Sequence, residues 1–193
     1  MKDKKFPPEP LTPAEARALV LAPSRRAPTG IRNRALIVLL YRAGLRISEA
    51  LALYPKDLDM NGGTVRVCHG KGDRSRTVGL DPGAWAILES WMVKRAELNF
   101  NGVHPVFCTL DGKRVLASYV RGMLPRMAKR AGIEKRVHAH GLRHTLAFEL
   151  AQEGVPTHLI QAQLGHASLA VTDRYVRHIA PVAVIQAMQG REW

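Results

Sequence analysis

Three histidines and an arginine fall within the seven residues His138 to His144, HAHGLRH, and LGHASLAVTDRY adds His166 and Tyr175 further on. Such a cluster has three readings: a metal centre, a phosphate-binding site, or a solvated helix edge. His140 and His144 stand at i and i+4, the spacing of a helical zinc site. That chemistry also needs a carboxylate beside the first histidine, where this chain has Gly141, and the cationic Arg143 between the two ligands opposes a divalent ion. No metal is expected. The phosphate reading uses His140 and Arg143, at i and i+3, as two hydrogen-bond donors to one tetrahedral anion. HGKGDRS, around Lys71, invites comparison with a nucleotide loop. However, Val65 stands where the first glycine should be and Gly72 where Ser or Thr is required, so no nucleotide cofactor is expected either.

In chain order, AGLRISEALAL, HGKGDRSRTVGL, HGLRHT, LGHAS and the tyrosine nine residues past the histidine of LGHAS look like five active-site boxes of the tyrosine recombinase (phage integrase) family. The resemblance runs from about Leu11 to the C-terminus. Any one box is weak; all five in order are specific. Carried over by position, the resemblance makes Arg46 and Arg143 an arginine pair, His140 and His166 further phosphate donors, Lys71 the hairpin lysine and general acid, and Tyr175 the nucleophile. Glu49, three residues after Arg46, resembles the family's acidic residue and would orient that arginine; a carboxylate at a helix start is the plainer reading. His144 is read as structural.

These residue types suit the implied reaction. A phosphodiester gains negative charge as a phenoxide attacks it, so two planar guanidiniums on the non-bridging oxygens favour the transition state over the ground state. A free tyrosine, with a pKa of about 10, is mostly protonated at neutral pH and needs a cationic surround or a base. The resemblance implies a 3′-phosphotyrosyl intermediate that keeps the energy of the broken diester, so religation needs neither ATP nor metal. A type IB topoisomerase-like nicking and rejoining enzyme, and a non-catalytic DNA-binding module, are the alternative readings.

Positioning these groups falls to short elements. Thr12-Pro13-Ala14-Glu15 makes a capping box with proline at the first helical position. IRNRALIVLLYRAG reads as a helix stopped at Gly44, with Arg46 just beyond, and Ser48-Glu49 opens a short helical run through Leu53. TVRVC and SRTVGL alternate as two strands with Lys71 in the turn between them. The second ends Val78-Gly79-Leu80, where the family commonly has Val-Pro-Leu. Asp81-Pro82 caps a helix carrying Trp85, Leu88, Trp91 and Met92; Ala117 to Ala131 forms another helix ending at Gly132. HGLRHTLAFELAQEG, PTHLIQAQLG and LAVTDRYV complete a mainly α fold with a small antiparallel β-sheet, an α+β arrangement that the resemblance identifies as the tyrosine recombinase catalytic-domain fold.

The 193 residues are 46% apolar, enough for one well-packed domain. Residues 1–10 read as a flexible arm and 11–193 as the catalytic domain, with an apolar stripe of Val182, Ile185 and Met188 on a tail helix at about 181–188. The family usually carries a helical core-binding domain ahead of this one, and the reading here includes none. Lys and Arg number 29 against 16 Asp and Glu, a net charge of +13, which points to a polyanionic partner. Arg25, Arg26, Arg32, Arg34, Lys71, Arg74, Arg76, Arg114, Arg121, Arg126, Lys129 and Arg130 are spread along the chain and should decorate a folded surface. Double-stranded DNA is the expected partner, with a homo-tetramer on paired sites and an accessory DNA-binding protein as what the resemblance implies. Two distant cysteines give no disulfide framework, and no apolar run is long enough to span a bilayer, so a cytoplasmic, nucleoid-associated protein is expected.

Overall fold

The run ALIVLLY has no polar face, and a helix apolar all round must be surrounded by protein. In the computed structural model, which describes residues 9–68, 75–165 and 188–189, this run is the middle of α2 (Pro28–Arg42), and every residue from Ala35 to Tyr41 is buried. Around it pack α1 (Pro13–Leu21), α3 (Ile47–Ala52), α4 (Pro82–Glu97) and α6 (Ala139–Gln152). Two further helices complete the described set: α5 (Ala117–Arg130), which packs on α3, and α7 (Thr157–Leu164), which packs on α6. The mainly α architecture with one small antiparallel sheet is as the sequence leads one to expect.

Local signals set most boundaries. Thr12 Oγ1 accepts from the Glu15 amide while Glu15 bonds back to the Thr12 amide, closing the box that starts α1. Asp81 accepts from the Ala84 amide at 3.0 Å and starts α4. Gly44 and Gly132 both adopt left-handed backbone just beyond α2 and α5. Pro125 lies inside α5 at an exposed position and, having no N–H, cannot close the helix bond to the Arg121 carbonyl.

The sheet has three strands in the order β1 (Leu58–Asp59), β2 (Thr64–Val67), β3 (Arg76–Gly79), all antiparallel, with Val65 opposite Val78 and Val67 opposite Arg76. The two-residue β1 follows a 3-10 turn at Pro55–Asp57 and has too few residues to show alternation in sequence. Lys71, His166 and Tyr175 lie outside the described residues, as does the expected tail helix at about 181–188 except Met188, which is helical and exposed.

Arg32 does not decorate the surface: it is 3% exposed, with its guanidinium on the Cys108 carbonyl at 3.0 Å, on Asn33 Oδ1 and on the Tyr119 hydroxyl. Arg95, equally buried, donates to the carbonyls of Phe100, Asn101 and Pro105 and so ties down the turn after α4. Both satisfy carbonyls that no strand or helix reaches, which is how a buried cation becomes tolerable. Among the described residues, no helix is long and apolar enough to cross a membrane.

Candidate active site

Arg46 reaches its position because α2 must end. Gly44, at φ +64°, turns the chain, the buried Leu45 anchors it, and Arg46 follows in extended conformation as the N-cap of α3. Its side chain is 48% exposed, so an incoming anion can reach it. Glu49, one turn into α3, is 3% exposed and accepts from the Arg46 backbone amide at 2.9 Å and from Arg46 Nη1 at 2.7 Å. The orienting role that the resemblance assigns to Glu49 thus has a matching geometry.

Arg143 comes from the second turn of α6 and is 4% exposed. Its Nη1 donates to the Gly44 carbonyl at 2.6 Å, which brings α6 against the turn that delivers Arg46. His140, one turn earlier, is exposed at the helix start. Partial desolvation first, and then the positive charges of Arg143 and Arg46, hold its imidazole below its usual range. Arg46, His140 and Arg143 therefore share one electrostatic neighbourhood, although the first lies about a hundred residues from the others. His144, by contrast, points into the core at 6% exposure. Among the described residues, no three His, Cys, Asp or Glu side chains gather to hold a metal ion.

α6 itself is held at both ends. His138 caps it, Nδ1 accepting from the Gly141 amide at 3.0 Å, which places that ring's proton on Nε2. A Cβ at Gly141 would lie 2.6 Å from that same Nδ1, so the glycine of HGLRHT is the space the cap needs. Thr145 Oγ1 accepts from the Leu11 amide and donates to the Gly141 carbonyl, fastening the chain before α1 to the back of α6. At the far end, Glu149 accepts from the Tyr41 hydroxyl and from Arg42, whose Nε also binds Asp81.

Sequence reasoning gave His138 no role, and treated Arg76 only as a surface charge. Arg76 is 17% exposed and forks onto Glu49, Nη1 to Oε1 and Nη2 to Oε2, each at 3.0 Å. Burial raises the Glu49 carboxyl, but Arg76 and Arg46 outweigh it and hold it at about 2. A signal was present: Arg76 alternates with Val78 and Leu80, so a cation stands on the inward face of a strand. Gly165, the last described residue before His166, lies against both arginines, its carbonyl 3.4 Å from Arg46 Nη2.

Beside this cluster a groove of about 770 Å³ runs between α5 and the start of α6. Leu124, Ala128, Ile133 and Val137 are among its apolar walls, Arg121, Lys129 and Arg136 stand on its rim, and it reaches His140 and Ile47, the residue after Arg46. A groove rimmed by basic side chains can bind a polyanion along its length.

Residues 9–180 match the Phage integrase family. The chain is 35% identical over 175 residues to the tyrosine recombinase XerD of Ralstonia nicotianae, covering 90% of this chain and 56% of that protein. It is 36% identical over 167 residues to the tyrosine recombinase XerC of Pelotomaculum thermopropionicum, covering 83% and 54%. The chain thus spans about half the length of the curated relatives it matches. Among solved structures, the XerA recombinase superposes with a TM-score of 0.83 at 28% identity, over 97% of this chain and 67% of that one. The XerH site-specific recombinase, in a post-cleavage complex with a palindromic difH substrate, gives a TM-score of 0.77 at 29% identity, over 95% and 53%. On these matches, this chain belongs to the phage integrase family.

Proposed function

We propose that residues 11–193 are the catalytic domain of a site-specific DNA recombinase, which cuts and rejoins strands by transesterification through a 3′-phosphotyrosyl intermediate. The observation that carries this reading is the bond from Arg143 to the Gly44 carbonyl, which ties the helix bearing His140 and Arg143 to the turn that delivers Arg46. Two guanidiniums and an imidazole carried by elements held together in this way suit a phosphoryl centre whose charge grows in the transition state. Arg46 and Arg143 bind the non-bridging oxygens; His140 donates to the same phosphate. Tyr175 attacks the phosphorus, Lys71 protonates the leaving 5′ oxygen, and His166 adds a further donor. Religation reverses these steps and needs no cofactor, because the phosphotyrosyl bond keeps the energy of the diester.

The substrate in this reading is double-stranded DNA, lying along the basic groove and bound in the cytoplasm at the nucleoid. Kinship with site-specific recombinases, one of them solved on its difH substrate, supports DNA as the partner. Assembly as a homo-tetramer on paired sites, with an accessory DNA-binding protein, belongs to the same proposal.

The test is trapping. A library of nicked suicide duplexes is incubated with the protein, and covalent species are isolated on denaturing gels and sequenced. The parent should yield an adduct on Tyr175, and Tyr175→Phe should bind the same duplexes without forming one. An adduct of equal yield with Tyr175→Phe overturns the nucleophile, and no adduct with the parent on any duplex overturns the reaction.

A further inference from the structure

Arg76 is the junction of three segments. It belongs to β3 and so to the strand pair on either side of Lys71 in sequence; it forks onto Glu49 of α3; and its Nε lies 3.4 Å from the Gln163 carbonyl near the end of α7. Gly165 packs so closely on it that a Cβ there would stand 2.7 Å from both Cζ and Nε. One guanidinium thus touches the segments that lead in sequence to Lys71, Arg46 and His166.

The charge distribution at this junction matters more than the packing. Glu49 carries one negative charge, and four donors occupy its carboxylate: the Arg46 amide and Nη1, and Arg76 Nη1 and Nη2. Four is the number of lone-pair sites a carboxylate offers, so Glu49 is saturated. The two arginines differ in access. Arg76 is 17% exposed and faces inward, whereas Arg46 is 48% exposed. If Arg46 were the only cation on Glu49, the buried carboxylate would cancel most of its field at an incoming phosphate. With Arg76 present, two cations share one anion, and the net positive charge appears at the exposed member.

We propose, building on the recombinase reading above, that Arg76 is a positioning residue for strand cleavage. It neutralises Glu49 so that Arg46 keeps its charge for the scissile phosphate, and it locks β3 and the Gly165 turn against α3. Arg76 itself touches no reacting atom. Its influence therefore depends on Glu49 being ionised, which a purely architectural role does not require.

That dependence supplies the experiment. Single-turnover cleavage of a suicide duplex selected with the parent is measured, at saturating protein, for the full chain carrying Arg76→Gln, Glu49→Gln or both. Arg76→Gln should lower the saturating rate by about thirtyfold or more while the half-saturating concentration moves less than about threefold, the signature of a lost transition-state interaction. In the Glu49→Gln background the same change should cost less than about threefold, because no surplus anion remains to neutralise. Arg76→Lys, which keeps the charge and loses the fork, should retain most of the rate that Arg76→Gln loses. The proposal is overturned if Arg76→Gln cleaves within about twofold of the parent, if it slows the Glu49→Gln protein by the same factor as the parent, or if Arg76→Lys is as slow as Arg76→Gln at equal melting temperature. Should Arg76→Gln fail to fold, Arg76→Lys against the uncharged, unbranched Arg76→Met decides: equal rates overturn the proposal, and a faster lysine variant supports it. A parent that forms no adduct on any duplex overturns the recombinase reading itself, a result distinct from all of these.

Discussion

Arg143 donates through Nη1 to the carbonyl oxygen of Gly44 at 2.6 Å, and Gly44 stands two residues before Arg46. One arginine of the pair is thereby used to place the other. The bond needs the Gly44 carbonyl turned towards α6, and φ +64° at Gly44 provides that turn. Leu164 and Leu146 close over the same spot, so that a Cβ at Gly44 would come within 2.6 and 3.0 Å of their Cδ2 atoms.

Gly44→Ala should therefore cost stability twice, through left-handed strain and through overpacking, for a total of about 2–4 kcal/mol. The shift of the urea midpoint, at unchanged slope, measures it. A loss below about 0.5 kcal/mol would show that the turn relaxes freely and that Arg143 does not depend on it.

Arg46→Lys and Arg143→Lys each keep the charge and lose the planar fork, and cleavage by either should fall about a hundredfold or more. Arg143→Lys should in addition lower the melting temperature, since its bond to Gly44 lies in the core, whereas the half-exposed Arg46→Lys should melt close to the parent. Single-turnover rates near the parental value in either protein would mean that point charge suffices.

His140 sets a pH dependence whose sign follows from its lowered folded-state value. Above the unfolded histidine value of about 6.5 the ring is neutral in both states and contributes nothing. As pH falls below that value the unfolded chain takes up a proton that the folded ring refuses, so stability declines until the folded value is passed. His140→Gln should lose less stability than the parent across this acid window when denaturant midpoints are compared at each pH. Parallel decline in the two proteins would place the ring outside the field of Arg143 and Arg46.

Duplex binding should weaken steeply with salt. Each groove cation that meets a phosphate contributes close to one unit to the slope of log K against log salt, by roughly 0.9 per contact. Arg121→Ala and Lys129→Ala, both on the exposed rim, should each lower affinity across all sequences and reduce that slope by about one. An unchanged slope in both would move the DNA path away from α5.

The helices from α1 to α7 and the hairpin strands β2 and β3 are legible in the sequence, as are the candidate groups of the motif boxes, because each is written in neighbouring residues. Thr12 and Glu15 close a box three residues long, Asp81 caps α4 over the same span, and Val65 and Val67 declare an inward strand face by alternation alone. The motif boxes are likewise local, and Arg46, His140 and Arg143 stand within them. Only the tertiary structure decided what those groups lean on. The Gly44 carbonyl meets Arg143 across 99 residues, Arg76 meets Glu49 across 27, and Arg32 meets the Cys108 carbonyl across 76. Whether an arginine is a surface charge or a buried clamp depends on which carbonyls and carboxylates the packed helices leave facing it. Strand alternation turns Arg76 inward, but the partner it meets there is a property of the assembled core.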